Sequence, residues 1–421
     1  MLLGKPSPQP CAVRNGVGGT ARERGRSGEF RPRYEPRRCL SLHRGVEADQ
    51  KVTIYLDYQA TTPLAPEARA AMLPWLNGGA NPHAAHKLGR AAKAAIEHAR
   101  DQVAQLLPPN GHLYFTSGAT EALNWAIKSA MAGGGRCVAL ATEHAAVLDA
   151  LGAFTGRQDI TILPVKPDGL VDLDVARAAI TPGTTVVIAM LVNNEIGVIQ
   201  PVEALADMAH DVGARFLCDA VQGYGRVPLP QMADYIAISA HKIHGPIGVG
   251  GLWVRAKGGL GAAPLTPLLH GGGQEGGVRS GTLSPMLCAG FGAAAREMVA
   301  QHDADAQHIK MLAEHFGATL GKKWSLNGSK TMRYMGNLNV RREGLDVARL
   351  MSDVRDVAFS AGSACASGSG RPSHVLRALG LSDAQARASI RLGFGRYTTV
   401  EEVVRAAAAI NAAADAQGDI Q

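Results

Sequence analysis

Between residues 113 and 239 the chain lays down five short runs with almost no polar interruption: Leu113–Thr116, Cys137–Ala141, Val186–Val192, Arg215–Cys218 and Tyr235–Ser239. A strand with one face in water alternates polar and apolar residues, so runs without alternation must be covered on both faces. The segments between them carry the other period. Residues 88–107 place Leu88, Ala92, Ala95, Ile96, Ala99, Val103 and Leu106 on one helical stripe, and Glu203 to Val212 is a second crossover helix. Buried strands joined by helices predict an α/β fold, a mostly parallel sheet covered by helices on both sides. After about residue 300 the helices lengthen and strands become fewer, which predicts a smaller α+β domain.

Composition narrows the classes of function. Of 421 residues 46% are hydrophobic and 19% charged, as in a globular chain. The longest apolar runs fall far short of the roughly 20 residues that cross a bilayer, so no membrane association is expected. The net charge of +7 sits mostly in a tail: residues 1–50 hold ten basic and five acidic side chains, leaving only two net charges for the rest. A near-neutral body lacks the basic footprint of a nucleic-acid binder. That tail has no apolar core of a secretory signal, and Glu23, Glu29, Glu35, Pro32 and Pro36 do not suit a mitochondrial presequence. It reads as a disordered extension or a start site placed too far upstream. We prefer the second, because structure-like sequence begins abruptly at Val52-Thr-Ile-Tyr-Leu-Asp57. Six cysteines (11, 39, 137, 218, 288 and 365) include no C-x-x-C pair, so no resident metal is expected. Cys137 and Cys218 lie in apolar runs and read as inert core. Sparse, unpaired cysteines suit a reducing compartment, hence a cytoplasmic location.

Six stretches carry chemistry. Ser239-Ala-His241-Lys242 follows a buried strand, so Lys242 emerges at the carboxyl edge of the sheet, where open α/β folds bind ligands. A lysine there either forms a Schiff base with an aldehyde such as pyridoxal or is an ordinary solvated strand-end lysine. Asp219 ends the run Ala214-Arg-Phe-Leu-Cys-Asp. It either caps a helix or meets a cation such as a protonated pyridine nitrogen, since a desolvated carboxylate needs a partner. The two readings strengthen each other, and Gln222, one helical turn after Asp219, can reach a ring hydroxyl. Phe115-Thr-Ser-Gly-Ala119-Thr120 passes from strand through a glycine turn into a helix, either a plain capping turn or an anion site. Thr120, helped by Ser239 and His241, would hold a phosphate there. His144 lies at the same sheet edge, a structural imidazole or one that stacks on a ring and moves protons. Cys365 sits in Ser360-Ala-Gly-Ser-Ala-Cys-Ala-Ser-Gly-Ser-Gly370, without the bulky neighbours of a structural cysteine. It is a free surface thiol or a sulfur carrier. Arg391, in Ser389-Ile-Arg-Leu-Gly-Phe-Gly-Arg396, offers a fork for an amino acid's carboxylate, while Arg396 reads as a structural ion pair.

Taken together these stretches resemble the NifS/IscS-type cysteine desulfurases, fold type I pyridoxal-phosphate enzymes of the class V aminotransferase group. The resemblance rests on Leu56-Asp-Tyr-Gln-Ala-Thr-Thr-Pro63, Thr116-Ser-Gly-Ala-Thr-Glu121, Glu143-His-Ala-Ala-Val-Leu-Asp149, Asn193-Asn-Glu-Ile-Gly197, Ser239-Ala-His-Lys242, Gly271-Gly-Gly-Gln-Glu275, Arg279-Ser-Gly-Thr282, the Cys365 loop and Val375-Leu-Arg-Ala-Leu-Gly380. They run in the family's order from residue 54 to about 405. The resemblance implies Lys242 as the Schiff-base lysine and Cys365 as the persulfide carrier, with His144 beside them. It places Ala119, Thr120, Asn194, Asp219, Gln222, Ser239 and His241 around the cofactor, and Asn194 with Arg391 at the L-cysteine carboxylate. It also implies a homodimer in which Thr282 reaches the partner's phosphate site. The expected domains are a large one over 64–300 and a small one built from 51–63 with 301–421. The product sulfur would pass to an acceptor protein such as an iron–sulfur scaffold or a tRNA-thiolation protein, with Cys365 at most sharing a cluster transiently. One departure is Glu275-Gly276-Gly277, where many relatives read Glu-Arg-Gly.

Overall fold

The computed structural model describes residues 53–418 except 79, 155, 157, 158, 257 and 363–371, so Cys11, Cys39 and Cys365 lie outside the described residues. A short strand, β1 (Ile54–Tyr55), comes first. Then β2 (Gly111–Thr116), β3 (Arg136–Leu140), β4 (Asp159–Leu163), β5 (Thr184–Met190), β6 (Arg215–Asp219), β7 (Tyr235–Ser239) and β8 (Gly250–Arg255) form one sheet in the order β2-β8-β7-β6-β5-β3-β4. Every pairing from β4 to β7 is parallel, and β8 runs antiparallel to both β7 and β2.

Successive strand residues face opposite ways, which lets two helical layers claim alternate side chains. The helices are α1 (Pro66–Met72), α2 (Lys87–Ala104), α3 (Ala119–Ala130), α4 (Ala145–Gly152), α5 (Leu173–Ala179), α6 (Val202–Asp211) and α7 (Pro285–Leu320). Val138, Val187, Phe216 and Ile236 pack with Ile96 and Ala99 of α2, Leu205 of α6 and Phe291 of α7. Their neighbours Cys137, Val186, Leu217 and Tyr235 pack with Leu123 and Ile127 of α3 and Val147 and Leu151 of α4. The expected α/β class and mostly parallel sheet are what the chain forms.

Two strands escape the sequence pattern. β4 is the sheet edge and exposes part of its length, so it lacks an uninterrupted apolar run. β8 opens with two glycines, which cut its apolar run short. Gly250 is there because a Cβ would stand 2.6 Å from the Ile238 carbonyl oxygen and 2.8 Å from Gly118 Cα. On α2 the expected stripe holds at Ala92, Ile96, Ala99 and Val103, but Leu88 is 60% exposed at the helix start.

Beyond residue 320 come β9 (Ser325–Leu326), β10 (Asn337–Arg341), β11 (Val357–Ala358), β12 (Ser360–Ala361) and β13 (Ser389–Gly393). β11 pairs in parallel with β1, and the other four form an antiparallel sheet ordered β12-β13-β10-β9. The remaining helices are α8 (Val347–Asp353), α9 (His374–Ala378), α10 (Asp383–Arg387) and α11 (Val400–Gly418). α7 joins the two cores along its 36 residues. Its first half buries Phe291 and Met298 against the large sheet, and its last turns bury Leu312 and Phe316 against Ile390, Leu392 and Ile410. This places β13, and Arg391 on it, beside the carboxyl edge of the large sheet. Among the described residues no helix is long and apolar enough to cross a membrane.

Candidate active site

In a parallel sheet the loops after the strands gather at one edge. A cavity of about 480 Å³ opens there. It is lined by Ala119, Thr120, His144, Asn194, Asp219, Gln222, Ser239, His241, Lys242 and Arg391, all expected from the sequence. Thr282 does not line it, and Cys365 lies outside the described residues.

Asp219 is the last residue of β6 and only 3% exposed; its Oδ1 accepts the Val221 amide at 3.0 Å. Burial pushes its pKa up, while that amide, His144 and Lys242 pull it back. Lys242 ends the single turn Ala240–Lys242 after β7, and its Nζ donates to the carbonyl oxygens of Gln59 at 2.5 Å and Ala60 at 2.8 Å. The Gln59 carbonyl also accepts Gln222 Nε2 at 3.0 Å. Arg226 donates to Gln222 Oε1 at 3.1 Å and to the Lys242 carbonyl.

His144 caps α4: its Nδ1 accepts the Ala146 amide at 3.0 Å, which assigns the proton of the neutral ring to Nε2. Burial holds its pKa low and Asp219 opposes this, with Lys242 and His374 pressing it further down. His241, its Nδ1 3.2 Å from Thr61 Oγ1, is pushed down to about 4 by burial and then by the Lys242 charge. Both imidazoles are therefore neutral near pH 7. No side chain caps α3, so its first amides keep free donors beside Gly118, Ala119 and Thr120. Arg391 is 1% exposed on β13. It donates to Asp57 Oδ1 at 2.7 Å and to the Asn194 carbonyl at 3.2 Å, and its Nε has no partner. Arg396 is elsewhere, paired with Asp305 at 2.6 Å, the structural ion pair expected.

These groups fit pyridoxal phosphate. An amine stands near a buried carboxylate that calls for a cation, an uncapped helix start suits a phosphate, and a neutral imidazole shares the cavity. Among the described residues no group of three or more His, Cys, Asp or Glu is placed to hold a metal ion.

The sequence reading gave no role to Asp57, Gln59 or Arg226. Asp57 and Gln59 sit in Leu56-Asp-Tyr-Gln, and an acid directly after an apolar pair was a signal of a buried cationic partner. Gln59 is 2% exposed, its side chain donates to the Gly336 carbonyl at 2.7 Å, and a Cβ at Gly393 would lie 1.7 Å from its Oε1.

Glu143, next to His144, has no exposure. One oxygen accepts the Met190 amide at 2.7 Å and the other has no partner. Burial pushes its pKa up to about 8, the amide bond lowers it and the Asp219 charge raises it. A carboxyl whose folded pKa is raised stabilises the fold most below its unfolded value near 4.5, and this contribution is lost as pH rises toward 8. Wild type should therefore lose stability relative to Glu143→Gln between about pH 6 and pH 9, by a few kcal/mol in order of magnitude. Melting curves of both proteins at the two pH values test this; an unchanged difference would exclude Glu143 as the titrating group.

The aminotransferase class-V family model matches residues 54–405. A cysteine desulfurase IscS of Rickettsia africae is 42% identical over 364 residues, 83% of this chain and 88% of the relative, and that of Rickettsia felis is equally similar. Among solved structures, a NifS-like protein from Rickettsia africae superposes with a TM-score of 0.77 at 29% identity, covering 87% of this chain and 99% of that one. SspA in complex with cysteine gives 0.73 at 34% identity, covering 82% and 100%. With cavity, sheet edge and relatives in agreement, the chain belongs to the class-V aminotransferase family, among its cysteine desulfurases of the NifS/IscS type.

Proposed function

We propose that the protein is a pyridoxal-phosphate-dependent cysteine desulfurase that converts L-cysteine to L-alanine and leaves the sulfur as a persulfide on Cys365. The observation that carries this reading is the meeting of Lys242, buried Asp219 and Arg391 in one cavity. Pyridoxal phosphate, when bound, supplies an electron sink for an amino acid joined to it. Lys242 would hold it and, once released, move the α-proton. Asp219 would keep the ring nitrogen protonated, and His144 would present Nε2–H near the ring. Gln222 and Asn194 would orient the ring, and Ala119, Thr120, Ser239, His241 and the first amides of α3 would hold the phosphate. Arg391, with Asn194, would bind the substrate carboxylate. The Cys365 thiolate then attacks the substrate sulfur: an S–S bond forms, the Cβ–S bond breaks, and its electron pair stays with the carbon skeleton that becomes alanine.

On the same reading the enzyme is a cytoplasmic homodimer whose Thr282 completes the partner's phosphate site. Residues 64–300 form its large domain, and 51–63 with 301–421 its small one. Its persulfide passes to an acceptor protein, such as an iron–sulfur scaffold or a tRNA-thiolation protein. Purified protein incubated with L-cysteine should release alanine and sulfur in equal amounts. A keto acid in place of alanine would make it a transaminase instead.

Arg391→Lys should raise KM for cysteine about 10–100-fold with cofactor loading intact. The lost fork of charged hydrogen bonds is worth on the order of 1.5–3 kcal/mol. Steady-state kinetics check this. An unchanged KM would remove Arg391 from the carboxylate site, and Arg396, held by Asp305, could not replace it.

A further inference from the structure

A second cavity, of about 180 Å³, shares no lining residue with the first. Three arginines line it, Arg226, Arg333 and Arg396, against a single carboxylate, Asp305. Asp305 pairs with Arg396. Among the described residues neither Arg226 nor Arg333 has an acidic partner. Arg333, 6% exposed, donates to the neutral carbonyls of Ser329 at 3.0 Å, Ile196 at 3.3 Å and Asn337, and its Nε has no partner. Burial without a counter-charge pulls its pKa down to about 10. Arg226 lies over the Tyr334 ring, 5.3 Å from its centroid, and spends its terminal nitrogens on Gln222 and the Lys242 carbonyl. A buried guanidinium without an acidic partner is costly to keep, and beside Arg333 the partly buried Arg226, also without one, shares the same cavity wall. The field of Arg226 and Arg396 is felt at His244, also on the cavity wall. Its pKa is pushed down to about 4 first by burial and further by Arg226 and Arg396, against the opposing Pro63 carbonyl and Asp305.

We propose that this cavity binds a small oxyanion, a carboxylate or an inorganic phosphate or sulfate, which supplies the charge that Arg226 and Arg333 lack. The volume admits such an ion and excludes a nucleotide or peptide. Arg226 makes the site more than a counter-ion store, because its other hydrogen bonds end on Gln222 Oε1 and the Lys242 carbonyl. An anion that draws the guanidinium toward itself loosens both contacts. Occupancy of the second cavity therefore biases the first, and ligands in the first change anion affinity by the same factor.

The test titrates sulfate, phosphate and acetate into holoenzyme whose cofactor has been fixed by borohydride, so that the phosphate site of the first cavity is already filled, and two variants separate the second cavity from Arg391 in the first. At constant ionic strength, a saturable rise in melting temperature is expected, with its midpoint in anion concentration as the readout. Arg226→Gln should weaken that midpoint about tenfold, by loss of a charged hydrogen bond. Asp305→Asn should tighten it severalfold by removing the one competing acid. Opposite signs cannot come from general damage to the fold. If Arg226→Gln fails to fold, Asp305→Asn decides alone, since tightening is not a symptom of disruption. No saturable shift, or one midpoint for wild type and Asp305→Asn, overturns the proposal.

Discussion

A Cys365→Ser protein should fold, load pyridoxal phosphate and bind cysteine, yet form no persulfide and release alanine only at background level. A serine hydroxyl is not ionised near neutral pH and does not attack divalent sulfur, so the change removes the group that accepts the substrate's sulfur. No other thiol in the described fold can stand in. Cys137 and Cys288 are buried with pKa values pushed up to about 12, and burial raises that of Cys218 as well. All three stay protonated and out of reach of substrate, and the thiolate is the reactive form. Stability should change little, because the flanking residues of Cys365 are only glycine, alanine and serine, with no bulky group to pack against the sulfur. Mass spectrometry after cysteine treatment should find an added sulfur on wild type and none on the variant. Alanine production at near wild-type rate without added thiol would overturn the persulfide step and make the enzyme a lyase that releases sulfide directly.

The parts of this architecture that were legible in sequence share one property: their physics is local. An uninterrupted apolar run followed by a polar residue declares both a buried strand and what leaves its carboxyl end. That is how Asp219, His144 and Lys242 could be assigned to one edge before any contact was known. The parts that were not legible depend on distant residues. Asp57 meets Arg391 across 334 positions, and the Gln59 carbonyl meets Lys242 across 183. No window of sequence contains such a pair, and the Leu56-Asp-Tyr-Gln motif alone does not name its partners. β8 failed for a related reason. Its glycines answer to the backbone of Gly118 and Ile238, so a residue that locally signals a turn here signals close approach. Leu88 misled in the opposite sense, since helical periodicity says nothing about whether a neighbour covers the first turn.

The other large effect belongs to Lys242. In wild type, borohydride should fix the cofactor irreversibly to one lysine, and in Lys242→Ala it should fix none. The lysine is set up for this by three features. Its turn follows β7 directly, so the main chain carrying it is held by the sheet. Its Nζ donates to two main-chain carbonyls, Gln59 and Ala60, which hold it at the cavity wall. Finally, burial holds the pKa values of His144 and His241 down, so neither imidazole adds a positive charge beside the amine near pH 7. Lys242→Ala should still bind the cofactor through the helix start, Asp219 and Gln222, but more weakly and reversibly, so that dialysis strips it. Turnover should fall to background, because the same amine is needed to move the α-proton. Peptide mapping after reduction and dialysis gives the answer: label retained on the Ala variant, or found on any lysine other than 242 in wild type, would refute the assignment.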